Sequence, residues 1–145
     1  TVTAVYVFGS NALVVNLGDS RAYLVRSRKM HQITRDHTLG RDLQEKGLSP
    51  KAVRPYRNIL TRCFNTGGKT VDIDMFHLDL AAEDQLLLCT DGLTDMVKDS
   101  EILRLIGAAK STKHAAETLV ETALANGGRD NVTLALGQVR VANEK

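Results

Sequence analysis

Three aspartates of the 145-residue chain stand where a strand would end. Asp19 follows the apolar run Ala12-Leu13-Val14-Val15-Asn16-Leu17 and sits in Gly18-Asp19-Ser20. Asp91 follows Leu86-Leu87-Leu88-Cys89 and sits in Thr90-Asp91-Gly92. Asp130 sits in Arg129-Asp130-Asn131, directly ahead of a β-rich stretch at 132–141. A carboxylate at a strand end is anchored by the sheet while its oxygens stay accessible. If the three converge, their charges repel unless a cation lies between them. Hard oxygen donors without histidine or thiolate favour Mg²⁺ or Mn²⁺ over Zn²⁺. Two such ions could polarise a phosphoryl oxygen and generate a hydroxide nucleophile from bound water. The competing reading is turn chemistry, since aspartate beside glycine commonly hydrogen-bonds its own backbone. Periodicity does not show that the strand ends meet, and both readings stay open at this level.

The elements that must position these residues read as antiparallel strands with helices set apart from them, an α+β order. Strands are expected at 3–8, 12–17, 22–26 and 30–33, with Gly9-Ser10-Asn11 as a hairpin turn and the four forming a meander. The segment 36–58 interrupts this pattern with helical spacing at Leu39 and Leu43, a stop at Gly47 and a second start at Ser49-Pro50, ended by Pro55. Such an excursion on a fixed scaffold often carries function. Strands resume at 70–78 and 85–89. Two helices follow, one capped by Ser100 and one by Ser111, the latter with an apolar face of Ala115, Leu119, Val120, Ala123 and Leu124 ending at Asn126-Gly127-Gly128. The final strand is expected at 132–141.

Composition excludes several classes of function. The net charge of +2 does not call for nucleic acid or an anionic membrane as partner. Tryptophan is absent and aromatics make up 4%, too few for a platform that stacks single-stranded bases. No apolar run approaches the roughly 20 residues of a membrane span, and no basic-then-apolar leader opens the chain. Cys63 and Cys89 lack zinc-site spacing and read as free thiols, which fits a cytoplasmic location.

Five blocks in order resemble the metal-dependent serine/threonine protein phosphatases of the type 2C family, in its bacterial form. They are Asn16-Leu17-Gly18-Asp19-Ser20-Arg21-Ala22-Tyr23, Asp36-His37-Thr38-Leu39, Pro55-Tyr56-Arg57-Asn58-Ile59-Leu60-Thr61-Arg62, Leu86 through Asp95, and Gly127-Gly128-Arg129-Asp130-Asn131-Val132-Thr133. The resemblance implies a sandwich of two antiparallel sheets flanked by helices, with residues 1–145 as the C-terminal portion of the domain and 36–58 as its flap. It implies Asp91 and Asp130 as metal ligands, with Asp19 joining Asp91 at a third, weaker metal found in some members. Gly92 and Asn131 stand just behind those ligands. Asp36, His37, Arg57, Asn58 and Arg62 belong to the flap or to candidate substrate contacts, although for His37, Arg57, Asn58 and Arg62 structural roles weigh more heavily. The implied cofactors are two Mg²⁺ or Mn²⁺ ions, and the implied partner is a phosphorylated protein.

The sequence also departs from the family. The glycine-rich N-terminal aspartate segment, the upstream phosphate-gripping arginine and the N-terminal histidine have no counterpart here. Thr61-Arg62-Cys63-Phe64-Asn65 replaces the usual Thr-Arg-Ala-Leu-Gly. No complete catalytic set is therefore expected in this chain, which should be inactive alone and prone to self-association through exposed sheet edges. The alternative is a non-catalytic, phosphatase-like module for binding or regulation.

Overall fold

The computed structural model describes residues 1–64 and 72–140. Strands β1 (Val2–Phe8) and β2 (Asn11–Leu17) form a hairpin whose turn holds Gly9 at φ +57°. Strand β5 (Asp74–Asp79) pairs with the free side of β2, giving a three-stranded sheet ordered β1-β2-β5. The second sheet is ordered β4-β3-β6-β7, from β3 (Arg21–Arg26), β4 (Lys29–Gln32), β6 (Gln85–Cys89) and β7 (Leu134–Gln138). Every pairing is antiparallel.

The expected α+β class and two-sheet architecture are present, but the single meander is not. β2 never pairs with β3, because both edges of β2 are taken by β1 and β5. The chain leaves the first sheet at Gly18, at φ +115°, and enters the second at Arg21. Asp19 and Ser20 are therefore the crossover between sheets rather than a turn within one.

Alternation along β3 and β6 explains why two layers form on the second sheet. Leu24 and Leu86 face the first sheet, packing with Ala12, Leu80, Val5 and Leu78. Tyr23, Val25, Leu87 and Cys89 point the other way, into a larger core against helices α4 (Asp99–Ala108) and α5 (Thr112–Ala125). Those helices contribute Ile102, Ile106, Ala115, Leu119 and Ala123, each buried. Cys89, inside this core, has its thiol pushed up to about 12 by burial, and both cysteines are free.

Helix starts follow side-chain caps in three places. Thr38 accepts from Arg41 N–H before α1 (Leu39–Glu45), Ser49 from Ala52 N–H before α2 (Pro50–Val53), and Ser111 from His114 N–H before α5. Pro55 lies inside a 3₁₀ turn (Arg54–Tyr56) that continues α2 rather than closing it abruptly. Helix α4 begins one residue before Ser100, with Lys98 at the cap position and no side-chain cap. Acidic Asp99 and Glu101 in its first turn compensate through the helix dipole. Leu124, expected on the buried face of α5, is 56% exposed, so the stripe is narrower than its apolar residues suggest. The strand expected at 70–78 is ordered as β5 only from Asp74 on, and Thr70 and Val71 lie outside the described residues, as do Asn65 and Val141.

Candidate active site

Strand register brings the three aspartates to one end of the second sheet. Arg21, the first residue of β3, is opposite Cys89, the last of β6, and Cys89 is in turn opposite Leu134, the first of β7. Asp19 lies two residues before Arg21, Asp91 two after Cys89 and Asp130 four before Leu134, so all three leave the sheet on the same side. Asp91 opens a one-turn helix, α3 (Asp91–Thr94), instead of a simple turn. Residues 131–133 are tied to β6 by the Thr90 hydroxyl, which donates to Asn131 C=O and accepts from Thr133 N–H, each at 3.1 Å. A Cβ on Gly92 would lie 2.3 Å from the Asn131 carbonyl oxygen, so only glycine permits this approach of α3 to the 130–131 backbone.

The electrostatics agree with the register. The Asp91 carboxyl is held above its ordinary range, first by burial and then by repulsion from Asp19, Asp130 and Asp95. Asp19 is raised as well, chiefly by burial and by Asp36, with its own backbone N–H and Arg21 opposing. Among the described residues, none of Asp19, Asp91 and Asp130 forms an ion pair. Oδ1 of Asp130 accepts from the Asn131 main-chain N–H at 2.7 Å, so Asn131 orients it through backbone rather than side chain.

Asp19 and Asp91 line a cleft of about 210 Å³. Its other wall is the helical segment 36–58, from which Arg41, Arg57 and Asn58 line the cleft with Thr94 and Asp95. Arg57 pairs with Asp95 at 3.2 Å, and Asn58 donates to the same oxygen at 3.3 Å. Asp36 lines the rear but is engaged by Arg21, through Nε at 2.9 Å and Nη2 at 2.6 Å. Asp130 is not part of this lining and meets the site only beside Asp91. Among the described residues, no three His, Cys, Asp or Glu side chains close on a single point as a metal cage. The donor set fits a hard cation that keeps much of its water and takes one or two carboxylates, as Mg²⁺ does, better than a fully protein-ligated ion.

Two of the expected contacts lie away from the cleft. His37 is fully buried, with Nδ1 accepting from Gly18 N–H at 3.0 Å and Nε2 on Asp74 at 2.9 Å. Arg62 is paired with Asp74 at 2.8 Å. Asp95 and Arg41 are cleft residues that composition did not single out. Asp95 was legible in principle, because it follows Asp91 by four residues and an α-helical turn puts such pairs on one face. Arg41 carried no signal beyond its place in the helical segment 36–58. Asp74, the anchor of His37, is 37 residues distant, and no local pattern links them.

The frame is a sandwich of two antiparallel sheets with carboxylates at one end of the second sheet and the helical segment 36–58 beside them. Residues 1–46 match the family model for protein phosphatase 2C. The chain is 35% identical over 139 residues to the serine/threonine phosphatase stp of Listeria welshimeri, covering 94% of this chain and 55% of that protein. It is 38% identical to a bacterial serine phosphatase crystal structure, with a TM-score of 0.89 over 98% of this chain and 58% of that one. The catalytic domain of the serine/threonine phosphatase PstP, solved with two manganese ions, superposes with a TM-score of 0.79 at 34% identity, covering 96% and 58%. The chain belongs to the protein phosphatase 2C family, in its bacterial form. It spans about half the length of the curated relatives it matches.

Proposed function

We propose that the chain is the C-terminal portion of a protein phosphatase 2C catalytic domain, with the flap at about 36–58. In this reading Asp19, Asp91 and Asp130 are oxygen donors for Mg²⁺ or Mn²⁺, and the whole domain hydrolyses phosphoserine or phosphothreonine in a protein. The observation that supports it most is the register that brings Asp19, Asp91 and Asp130 to one sheet end, where, among the described residues, none of the three forms an ion pair and Asp19 and Asp130 add to the burial that raises the Asp91 carboxyl. When bound, divalent cations supply Lewis-acid polarisation of the phosphoryl group and of the attacking water.

The chain's own residues then divide the work. Asp91 and Asp19 fix the cation end of the cleft, while Thr90 and Gly92 keep the Asp130 segment against it. Arg41 and Arg57 place guanidinium groups on the flap side, where they suit a phosphoryl group or an acidic neighbour in the substrate. Because, among the described residues, fewer than three such side chains close on one point, the remaining donors and the phosphate-positioning groups are assigned to residues beyond this chain, and the chain alone is expected to give no turnover. Loss of such groups commonly costs orders of magnitude each in phosphoryl transfer. Hydrolysis of a phosphothreonine peptide with Mn²⁺ tests this. Turnover matching an intact relative, abolished by Asp91→Asn, would show that the chain needs nothing more.

The lack of a closed three-donor cage among the described residues also favours a second reading, a phosphatase-like module that binds without catalysis. The two separate on a longer version that includes whatever the gene encodes before Thr1. Phosphopeptide hydrolysis there supports the enzyme, and binding without turnover supports the module.

A further inference from the structure

We propose that His37 is a positioning residue that sets where Asp19 stands in the cleft, acting through Gly18. The role rests on the metal reading above, but its evidence is separate. His37 holds Gly18 from both sides: its Nδ1 accepts from Gly18 N–H at 3.0 Å, and its main-chain N–H donates to Gly18 C=O at 2.9 Å. With Nδ1 an acceptor, the ring proton sits on Nε2 and is donated to Asp74 at 2.9 Å. Asp74 is in turn fixed by Arg62 at 2.8 Å.

The same residue closes the flap base. His37 C=O accepts from Thr61 N–H at 2.8 Å, beside the Thr38–Leu60 bridge. The flap's entry, its exit and the crossover that carries Asp19 thus meet at His37: its main chain holds Thr61 and Gly18 C=O, and its fully buried imidazole holds Gly18 N–H. Gly18 sits at φ +115° and cannot fix the crossover by its own conformational preference. An ordinary core histidine needs only to have its two ring nitrogens satisfied. This one spends them on the residue preceding Asp19 and on a separately braced carboxylate.

Two substitutions separate the ring nitrogens. His37→Asn leaves an acceptor near the Nδ1 position, and His37→Gln leaves a polar group near the Nε2 position. The measurements are Mn²⁺ affinity by electron paramagnetic resonance and exchange of the Gly18 amide by nuclear magnetic resonance. His37→Gln is expected to weaken Mn²⁺ binding by about 10- to 100-fold, the range usual when a group orienting a ligand is lost, and to speed Gly18 exchange. His37→Asn is expected to restore most of both. Equal Mn²⁺ affinity in the two variants, or a Gly18 amide as protected in His37→Gln as in the wild type, overturns the proposal. If both variants unfold, Asp74→Ala serves instead: it frees Nε2 at a partly exposed position, and unchanged Mn²⁺ affinity in it overturns the proposal too. If the wild type binds Mn²⁺ no better than Asp91→Asn, the metal reading falls. Gly18 exchange then decides the role of His37 alone, with faster exchange in His37→Gln sustaining it and unchanged exchange ending it.

Discussion

Gly92→Ala probes the contact on which the site's geometry turns. The new Cβ would lie 2.3 Å from Asn131 O, 2.9 Å from Asn131 C and 3.4 Å from Asp130 O, all backbone atoms that no rotamer change can move aside. A carbon–oxygen contact settles at about 3.3 Å or more, so α3 and the 130–131 segment must part by about 1 Å. Overpacking of this kind costs about 1–3 kcal/mol, and alanine's better helix propensity returns up to about 1 kcal/mol. The net expectation is a loss of about 1–2 kcal/mol, or a fall of about 2–8 °C in the thermal midpoint at this chain length. Mn²⁺ affinity should fall with it, because Asp91 and Asp130 no longer face each other at the same spacing. Gly107→Ala is the control: it lies in helix α4 with nothing within 4 Å of its Cβ. It should stabilise by about 0.5–1 kcal/mol and leave Mn²⁺ binding alone. Thermal denaturation and Mn²⁺ titration of both variants decide the matter. A Gly92→Ala protein with unchanged midpoint and unchanged Mn²⁺ affinity would refute the claim that this approach positions the site.

Asp91→Asn should stabilise the metal-free chain near pH 7. The wild-type carboxyl is raised on folding, so its favourable contribution is full below the unfolded value of about 3.9 and is lost as pH rises through the folded one. Urea midpoints for the two proteins should therefore converge at acid pH and separate at neutral pH, with the variant above. Arg26→Ala should behave oppositely. Asp84, with a side chain only 2% exposed, is held below its ordinary range chiefly by Arg26, so that stability is present above the unfolded value and lost as pH falls through the folded one. The variant should have a lower urea midpoint at neutral pH, and the gap should close in acid. The outer face of the first sheet exposes Tyr6 at 68% and Met75 at 69%, and sedimentation should show association that rises with concentration and is suppressed by a Tyr6→Lys, Met75→Lys double variant. A wild type that stays monomeric at high concentration counts against an apolar association face.

Much of the architecture was legible because it rests on short-range rules. The caps at Ser49 and Ser111 are local signals, and they folded as such, whereas the Thr38 cap and the alternation of Leu24 against Tyr23 and Val25 emerge only in the fold. The meander failed because strand order depends on which edge is free, and nothing within 12–26 says that β5, some fifty residues later, takes the edge of β2. The boundary of α4 was misplaced by a cap that is electrostatic rather than a hydroxyl. At the site, the residue types of Asp19, Asp91 and Asp130 were visible, but their convergence comes from the registers Arg21–Cys89 and Cys89–Leu134, which are tertiary facts. The His37–Asp74 pair was hidden for the same reason: neither partner is unusual until the crossover brings them together.

Residues 19, 91 and 130 are expected to share one cation-binding edge. Paramagnetic broadening of backbone amides by substoichiometric Mn²⁺ tests it most directly. Asp19, Asp91 and Gly92 are expected to broaden first, with Asp130 and Asn131 close behind, and Asp91→Asn should remove the effect. Broadening centred on the half-buried Asp42 and exposed Glu45 of helix α1, or spread evenly over the acidic surface, would contradict it.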